Sequence, residues 1–501
     1  MMFFSVQSVF VRHSVTLSLP QEMPNVGQAM RPGLALLLLS GTTVIGSAQQ
    51  FPPNPKIDKI FAEWNKPTSP GCALGVVQDG RFVYEHGYGM ANLDYDIPNS
   101  PKLVYYVGSD SKQFTAASIA LLALDGKISL DDDIRKYIPE MPDYGTPITI
   151  SHLIHHTSGI RDIYTLMSLG GLRLEDVFSD SEEIALIARQ KELNFKPGDD
   201  YLYSNSGYFL LAEVVKRVTG KSLRDFADER IFQPLGMTHT HFHDDPGHIM
   251  KGRAMSYESD GKGGYRISYL QNFDKIGAGG LYTTVEDLRK WDENFYTHKV
   301  GGDTLQKIIH TRAVLNRGDT IVYAFGNNVT TYRGLRVDEH GGALMGYKAE
   351  ILRFPDQHFS VLATCNLGSI NPQALAEQVA EVYLASKMGP RPERQMAGRR
   401  DRAVALAAQP SAAELSPYAG DYYSSEVDAV YHLAVVDGAL VLTAHHIPAQ
   451  KLESIDTDQF RTPSGLTLHF ERTGTGAPNA FTIEAGRVRN IRFMRRWQDA
   501  R

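Results

Sequence analysis

Ser109 and Lys112, in the stretch VGSDSKQFTAASIALL, stand three residues apart at the start of an Ala-, Ile- and Leu-rich run with a helical repeat. On a helix, that spacing puts both side chains on one face. A serine hydroxyl attacks a carbonyl only when a neighbouring base takes its proton. A lysine so placed acts either as an ammonium that stabilises the alkoxide or, when desolvated, as the base itself. A helix start adds free backbone N–H groups and a positive dipole end around the attacking oxygen. The same spacing recurs at Ser259 and Lys262, but inside the polar turn YESDGKGGY, with no helix to align the pair. A chain of this size shows Ser-x-x-Lys about once by chance. Taken alone, Ser109 therefore reads as an N-cap serine beside a solvated lysine.

Other residues with chemical potential lie downstream. Tyr203-Ser204-Asn205 immediately precede an amphipathic helix in YLYSNSGYFLLAEVVKRV, and His340-Gly341-Gly342 sit at the lip of a strand in DEHGGALMGYKAEILRF. Histidines crowd in two places. His152, His155 and His156 share one loop, and HTHFHDD groups His239, His241 and His243 with Asp244 and Asp245. Strand alternation would set the latter three histidines on one face, a ligand-like arrangement. Neither group contains a His-Glu-x-x-His pattern, so both are read as surface or turn histidines, and no metal is expected. Tyr105, Tyr106, Tyr422 and Tyr423 read as core or strand-face positions. Cys72 and Cys365 each lie in an apolar run and are expected to be free buried thiols.

The elements that must hold these residues are legible in outline. CALGVVQDGRFVYEHGYG gives two strands joined at Asp79-Gly80, a hairpin dipeptide. The run from Lys112 to Leu124 is a helix closed by Gly126. From about Ile128 to Phe295 the pattern is mostly helical. KAEILRFPDQHFSVLATCN adds two strands around Pro355-Asp356, and the helix LAEQVAEVYLAS follows. Strands at both ends with helices between predict an antiparallel sheet closed by chain-distant strands and flanked by helices. Residues 386–415, rich in Arg, Ala, Pro and Gly, read as an exposed linker. Beyond it, alternating strands and the Asp437-Gly438 turn predict a small all-β module over 416–501, of compact-barrel type.

With 501 residues, two or more domains are expected. Hydrophobic residues at 42% and charged residues at 22% match a globular protein. The net charge of −6 gives neither a basic field for nucleic acid nor a polybasic membrane surface. From Met30, MRPGLALLLLSGTTVIGSAQQ carries an Arg, an apolar run and Gly46-Ser47-Ala48, the layout of a secretory signal. The run is short for a bilayer span. Residues 1–48 are thus read as an upstream extension and signal, with the true start at Met30, a mature chain from near Gln49, and a periplasmic or extracellular destination.

Ser-x-x-Lys at 109–112, then Tyr203-x-Asn205, then His340-x-Gly342, in that order and separation, resemble the three active-site elements of the serine β-lactamase and penicillin-binding-protein superfamily. HLIHHTSGI, IFQPLGM and GAGGLYTTVEDLRKW are similar to that family as well, so the resemblance covers roughly residues 55–385. Class C β-lactamases, D-alanyl-D-alanine carboxypeptidases and related esterases are its members of this type. The resemblance implies an α/β domain with an all-helical subdomain, and for residues 416–501 a lipocalin-like barrel. It implies a serine hydrolase that needs no cofactor, with a small molecule or short peptide as substrate. Ser109 would form the acyl-enzyme. Tyr203, as a phenolate favoured by Lys112, would take the serine proton and later activate water. Asn205 would bind the substrate's acyl side-chain amide, and the N–H groups of Ser109 and Ala343 would form the oxyanion hole. Gly341 and Gly342 would let the strand approach the substrate. Many members carry Lys where this chain has His340. A neutral imidazole rewards a substrate carboxylate less, and would do so more as it protonates near neutral pH. Esters and D-amino-acid peptides are therefore expected ahead of β-lactams. The alternative reading is a non-hydrolytic protein that senses penicillins or peptidoglycan fragments.

Overall fold

Alternating Val, Leu, Ala and Phe runs build the sheet on which the site rests. The computed structural model describes residues 51–268, 272–391, 410–474 and 476–496. The expected signal, Met30 and Gln49 lie outside the described residues, as does most of the expected linker. Strands β1 (Cys72–Gln78), β2 (Arg81–Tyr88), β3 (Asn328–Tyr332), β4 (Leu335–Leu344), β5 (Tyr347–Phe354) and β6 (Phe359–Cys365) form one antiparallel sheet in the order β3-β4-β5-β6-β1-β2. Asp79, at φ 50°, and Gly80, at φ 72°, make the tight β1–β2 turn. The sheet closes between chain-distant strands, as the sequence pattern predicts, because β6 pairs with β1 along its whole length.

That pairing overturns the free-thiol expectation. The register sets Cys72 directly opposite Cys365, and the two form a disulfide, leaving no free cysteine among the described residues. The apolar run around each cysteine reflects burial in the central strands, which is equally compatible with a thiol or a bridge. Only the cross-strand register brings the sulfurs together.

Helix α1 (Ser111–Leu124) runs through the middle of the domain, and all its residues from Ser111 to Leu122 are buried. A helix that is apolar nearly all round must be enclosed on every side. Lys112 is carried into the core with it. Helix α2 (Asn205–Thr219) packs on α1, helix α3 (Val285–Thr297) packs on β1 and β6, and helix α4 (Pro372–Leu384) covers β5 and β6.

The C-terminal strands are β7 (Gly420–Ser424), β8 (Ala429–Val436), β9 (Ala439–Ala444), β10 (Ile447–Lys451), β11 (Glu453–Asp456), β12 (Gln459–Arg461), β13 (Thr467–Glu471), β14 (Ala480–Ala485) and β15 (Val488–Arg496). They form a nine-stranded antiparallel sheet in the order β10-β9-β8-β7-β15-β14-β13-β12-β11. Its two outer strands, β10 and β11, are separated by Leu452 alone, so the sheet curls back on itself into a barrel-like form. Tyr422, Tyr431, Phe470, Phe481 and Phe493 fill the inside. Arg161, fully buried, donates to Glu426 Oε2 at 2.6 Å and to the carbonyls of Arg489 (3.0 Å) and Asn490 (3.1 Å), pinning this barrel to the helical part. Among the described residues, no helix is long and apolar enough to cross a membrane.

Candidate active site

The strand Tyr105–Tyr106 delivers the chain to a single 3-10 turn, Gly108–Asp110, which feeds directly into α1. Ser109 sits in that turn, and Lys112, three residues on, is the second residue of α1. The Lys112 Nζ donates to Ser109 Oγ at 3.1 Å, to Asn205 Oδ1 at 2.9 Å and to the Ala278 carbonyl at 2.6 Å. All three protons of an ammonium thus find acceptors, yet the group has no solvent exposure. Burial holds the Lys112 pKa well below the usual lysine range; Asp162 opposes that shift and Arg487 adds to it. The second Ser-x-x-Lys pair, at Ser259 and Lys262, lies in an exposed turn at the end of a short strand.

Asp162 places the second element. It caps the helix Ile163–Leu169 and also accepts from Asn205 N and Nδ2, each at 2.8 Å. Asn205 lines the cavity with both ends of its amide engaged by protein, its oxygen on Lys112 and its nitrogen on Asp162. Tyr203 packs on His156, with ring centroids 4.1 Å apart, and stands 4.8 Å from Lys112 Nζ at the ring centroid. Its hydroxyl is buried beside Ser109. Burial drives the phenol pKa well above its ordinary value, and the Ser109 hydroxyl offsets this only in part. The expected phenolate is thus disfavoured, because Lys112 lies over the ring face rather than at the oxygen. His156, read from the sequence as a surface or turn residue, is buried and accepts the Ser204 N–H on Nδ1 at 3.1 Å.

Strand β4 supplies the third element. His340 is buried, with Nδ1 2.7 Å from the Gly341 carbonyl and Nε2 3.1 Å from the Tyr323 hydroxyl. Burial pushes its pKa down to about 3, and Lys112 in its protonated form pushes the same way. The ring is neutral throughout the physiological range, so the titration near neutral pH expected of a free histidine does not occur. A Cβ built on Gly342 would lie 1.8 Å from the Val107 carbonyl oxygen and 3.0 Å from Ser109 N; one built on Gly108, at φ 55°, would lie 2.5 Å from Ala343 N. Gly342 and Gly108 let the strand touch the turn that carries Ser109, and Gly341 and Gly342 line the cavity beside it. The close approach brings the backbone nitrogens of Ser109 and Ala343 near one another at the cavity wall.

Ser109, Tyr203, Asn205, His340, Gly341, Gly342 and Ala343 all line one cavity of about 840 Å³, with Lys112 beneath its floor. Tyr106 also lines it, whereas Tyr105 and Tyr422 are core residues and Tyr423 bonds Asp428 at the surface. Arg333 is tied to Glu381 and the Gly389 carbonyl, and Arg336 to Asp338, so neither reaches the cavity. Tyr323, Glu339, Glu350 and Arg487 line it without any signal in the sequence. Asp162, the helix-capping aspartate beneath it, was the one such residue detectable in principle, as an N-cap before an apolar run.

The histidines of HTHFHDD divide differently from the expected face. The His241 and His243 rings lie 5.6 Å apart and His248 joins them, while His239 does not. Burial pushes both His241 and His243 down to about 4. Among the described residues, no group of three His, Cys, Asp or Glu side chains is arranged to hold a metal.

Comparison with known proteins gives this geometry a lineage. The D-aminopeptidase of Gluconobacter oxydans (strain 621H) is 29% identical over 311 residues, 62% of this chain and 58% of that protein. The D-aminopeptidase of Brucella anthropi is 29% identical over 297 residues, 59% of this chain and 56% of its own. The chain thus spans less than two thirds of the length of these relatives. In fold, it is similar to the octameric penicillin-binding protein homologue from Pyrococcus abyssi (TM-score 0.60, 22% identity, 88% of this chain and 99% of that one). It is also similar to the D-amino acid amidase of Ochrobactrum anthropi SV3 solved with L-phenylalanine amide (TM-score 0.56, 21% identity, 67% and 98%). The family model described as Beta-lactamase matches residues 57–406, more than half of the chain and every one of the three elements above, and the protein therefore belongs to the beta-lactamase family.

Proposed function

We propose that this protein is an exported serine hydrolase that acylates Ser109 and acts on amides and short peptides of D-amino acids, with esters as further substrates. The observation that carries the reading is the desolvated Lys112 amine 3.1 Å from the Ser109 hydroxyl. Burial favours its neutral form, and a neutral amine accepts the serine proton as Oγ attacks the carbonyl carbon. The oxyanion then forms between the N–H groups of Ser109 and Ala343. Tyr203, a protonated phenol, donates to the departing amine and recovers its proton from Lys112 through an intervening water, since the amine lies over the ring face rather than at the oxygen. Water attacks the acyl-enzyme by the reverse sequence and frees the acid. This ordering gives Lys112 the role of base and Tyr203 that of acid.

The D-amino-acid preference rests on the curated D-aminopeptidase relatives, and the low rank given to β-lactams rests on the neutral His340. Export rests on the signal-like stretch before Gln49 and on the Cys72–Cys365 disulfide, a bond that persists in oxidising compartments.

The test is a panel of D- and L-alanine p-nitroanilides, D-alanyl peptides, p-nitrophenyl esters and nitrocefin, with mass spectrometry of the protein after a fluorophosphonate or a penicillin. Turnover led by D-amides is the expected result. Turnover led by nitrocefin or by L-amides overturns the substrate assignment. A stable adduct on Ser109 without turnover supports the sensor reading instead, and no adduct with any probe overturns the acyl-enzyme.

A further inference from the structure

Arg487 belongs to the two-residue turn between β14 and β15 of the barrel, yet its side chain lines the cavity around Ser109. The backbone of this hairpin is clamped. Asn194 Nδ2 donates to the Arg487 carbonyl at 3.0 Å, Arg489 N donates to Asn194 Oδ1 at 2.8 Å, and the buried Arg161 holds the carbonyls of Arg489 and Asn490. The guanidinium is not spent in the same way. It lies over the Tyr203 ring, 4.6 Å from the centroid, and makes no hydrogen bond to any described residue. Its one ion pair, to Asp162 Oδ2, is long at 3.9 Å, and that oxygen already accepts twice from Asn205. The side chain remains 45% exposed. A clamped backbone with an uncommitted guanidinium facing a cavity is the arrangement expected of a ligand-reading arginine, whose planar fork matches a carboxylate.

The place of this cation fits what the site otherwise lacks. His340 offers no charge, and Arg333 and Arg336 are bound elsewhere. Tyr203 is the group that meets the departing amine, so a cation stacked on Tyr203 lies by the leaving portion of the substrate. Lys348 also lines the cavity, but it pairs across the strands with Ala343, at the oxyanion gap.

We propose that Arg487, contributed by the C-terminal barrel, binds a carboxylate on the leaving portion of the substrate, so that the protein prefers D-aminoacyl peptides ending in a free carboxylate close to the scissile bond. The proposal rests on the hydrolase reading above, and deepens it by naming the substrate class and the residue that selects it.

The experiment compares kcat/KM for D-alanyl-glycine and D-alanyl-glycinamide, which differ only in that carboxylate, in the wild type, Arg487→Gln, Arg487→Lys and Lys348→Gln. The wild type should favour the free acid, and Arg487→Gln should lower the acid-to-amide ratio by about 10- to 100-fold, the scale of one hydrogen-bonded charge contact. Arg487→Lys should keep part of the ratio, and KM for the acid should carry most of the change. In the wild type the ratio should also fall as salt is raised, a measurement that needs no variant to fold. A ratio indifferent to both salt and Arg487→Gln, or one governed by Lys348→Gln instead, overturns the assignment alone. A wild type inert toward both peptides overturns the peptide hydrolase reading and this proposal with it.

Discussion

At the scale of single residues, the site is defined by burial more than by charge. Ser109→Ala should abolish turnover with the thermal transition unmoved, whereas Ser259→Ala, in an exposed turn, should be silent. Hydrolysis at the wild-type rate by Ser109→Ala would mean that another residue attacks. Lys112→Ala and Tyr203→Phe should each slow acylation by orders of magnitude, and the double variant should be little worse than either, because both serve one proton path. Single-turnover kinetics on a p-nitrophenyl ester check this; losses that sum in full would show two independent roles.

His340 makes a separate prediction about pH. Its folded pKa is about 3 against an unperturbed ~6.5, so between those values the unfolded chain binds a proton that the native protein refuses. The stability this contributes is present above about 6.5 and is lost as the pH falls toward 3, at up to ~1.4 kcal/mol per unit. The groups around it include Lys112, the Tyr323 hydroxyl and Asp110, whose buried carboxyl is raised and has the opposite pH slope. The wild-type curve therefore mixes both signs, and the difference from His340→Gln isolates the histidine. Denaturant titrations of the two proteins from pH 7 to 4.5 should converge as the pH falls; parallel curves would mean the ring protonates in place.

At the scale of elements, activity depends on strand β4 lying against the turn that carries Ser109. Gly342→Ala puts a methyl 1.8 Å from the Val107 carbonyl oxygen, where only backbone can yield. The strand must move away, and Ala343 N moves with it. A displacement of this order costs about 100-fold in kcat/KM, and the melting temperature should fall too. Gly341→Ala meets only the Glu350 carboxylate end, at 2.8 Å, and should be much milder. Equal effects at the two positions would show that the approach of β4 does not set the oxyanion gap. α1 is the second such element: because it is enclosed on every side, its Lys112 is desolvated by position alone.

At the scale of the whole molecule, two long-range devices hold the parts in register. Arg161→Met leaves Glu426 buried without its cation and strips the hairpin of Arg487 of its anchor, so unfolding free energy should drop by about 3–5 kcal/mol. A loss below ~0.5 kcal/mol, typical of a surface site, would show that the barrel docks without it. The Cys72–Cys365 bridge closes a separation of 293 residues, and replacing both cysteines by serine should cost about 2–4 kcal/mol. Denaturant unfolding with and without reductant measures it; an unchanged midpoint would mean the sheet pairing alone is sufficient.

The sequence by itself determined what depends on near neighbours along the chain. The helical repeat after Ser109 set Lys112 on its face, Asp79-Gly80 marked the first hairpin, and the alternating strands after residue 416 marked a β module. The order of the three motifs singled out Ser109, Tyr203, Asn205, His340, Gly341, Gly342 and Ala343, which share one cavity, but none of Tyr323, Glu339, Glu350 and Arg487 beside them. What the chain's local pattern leaves undetermined is which distant segment packs against which, and everything that desolvation decides. An apolar run around each cysteine looks the same with or without a bridge until the β6–β1 register sets the two opposite one another. A histidine in sequence titrates near neutrality, and His340 does not, because the fold encloses it next to Lys112. Arg487 has no motif at all; it enters the site only because a barrel formed by the last strands docks its hairpin over Tyr203. Periodicity reports a residue's own element, whereas charge state and membership of a site are properties of the environment that the tertiary structure builds around it.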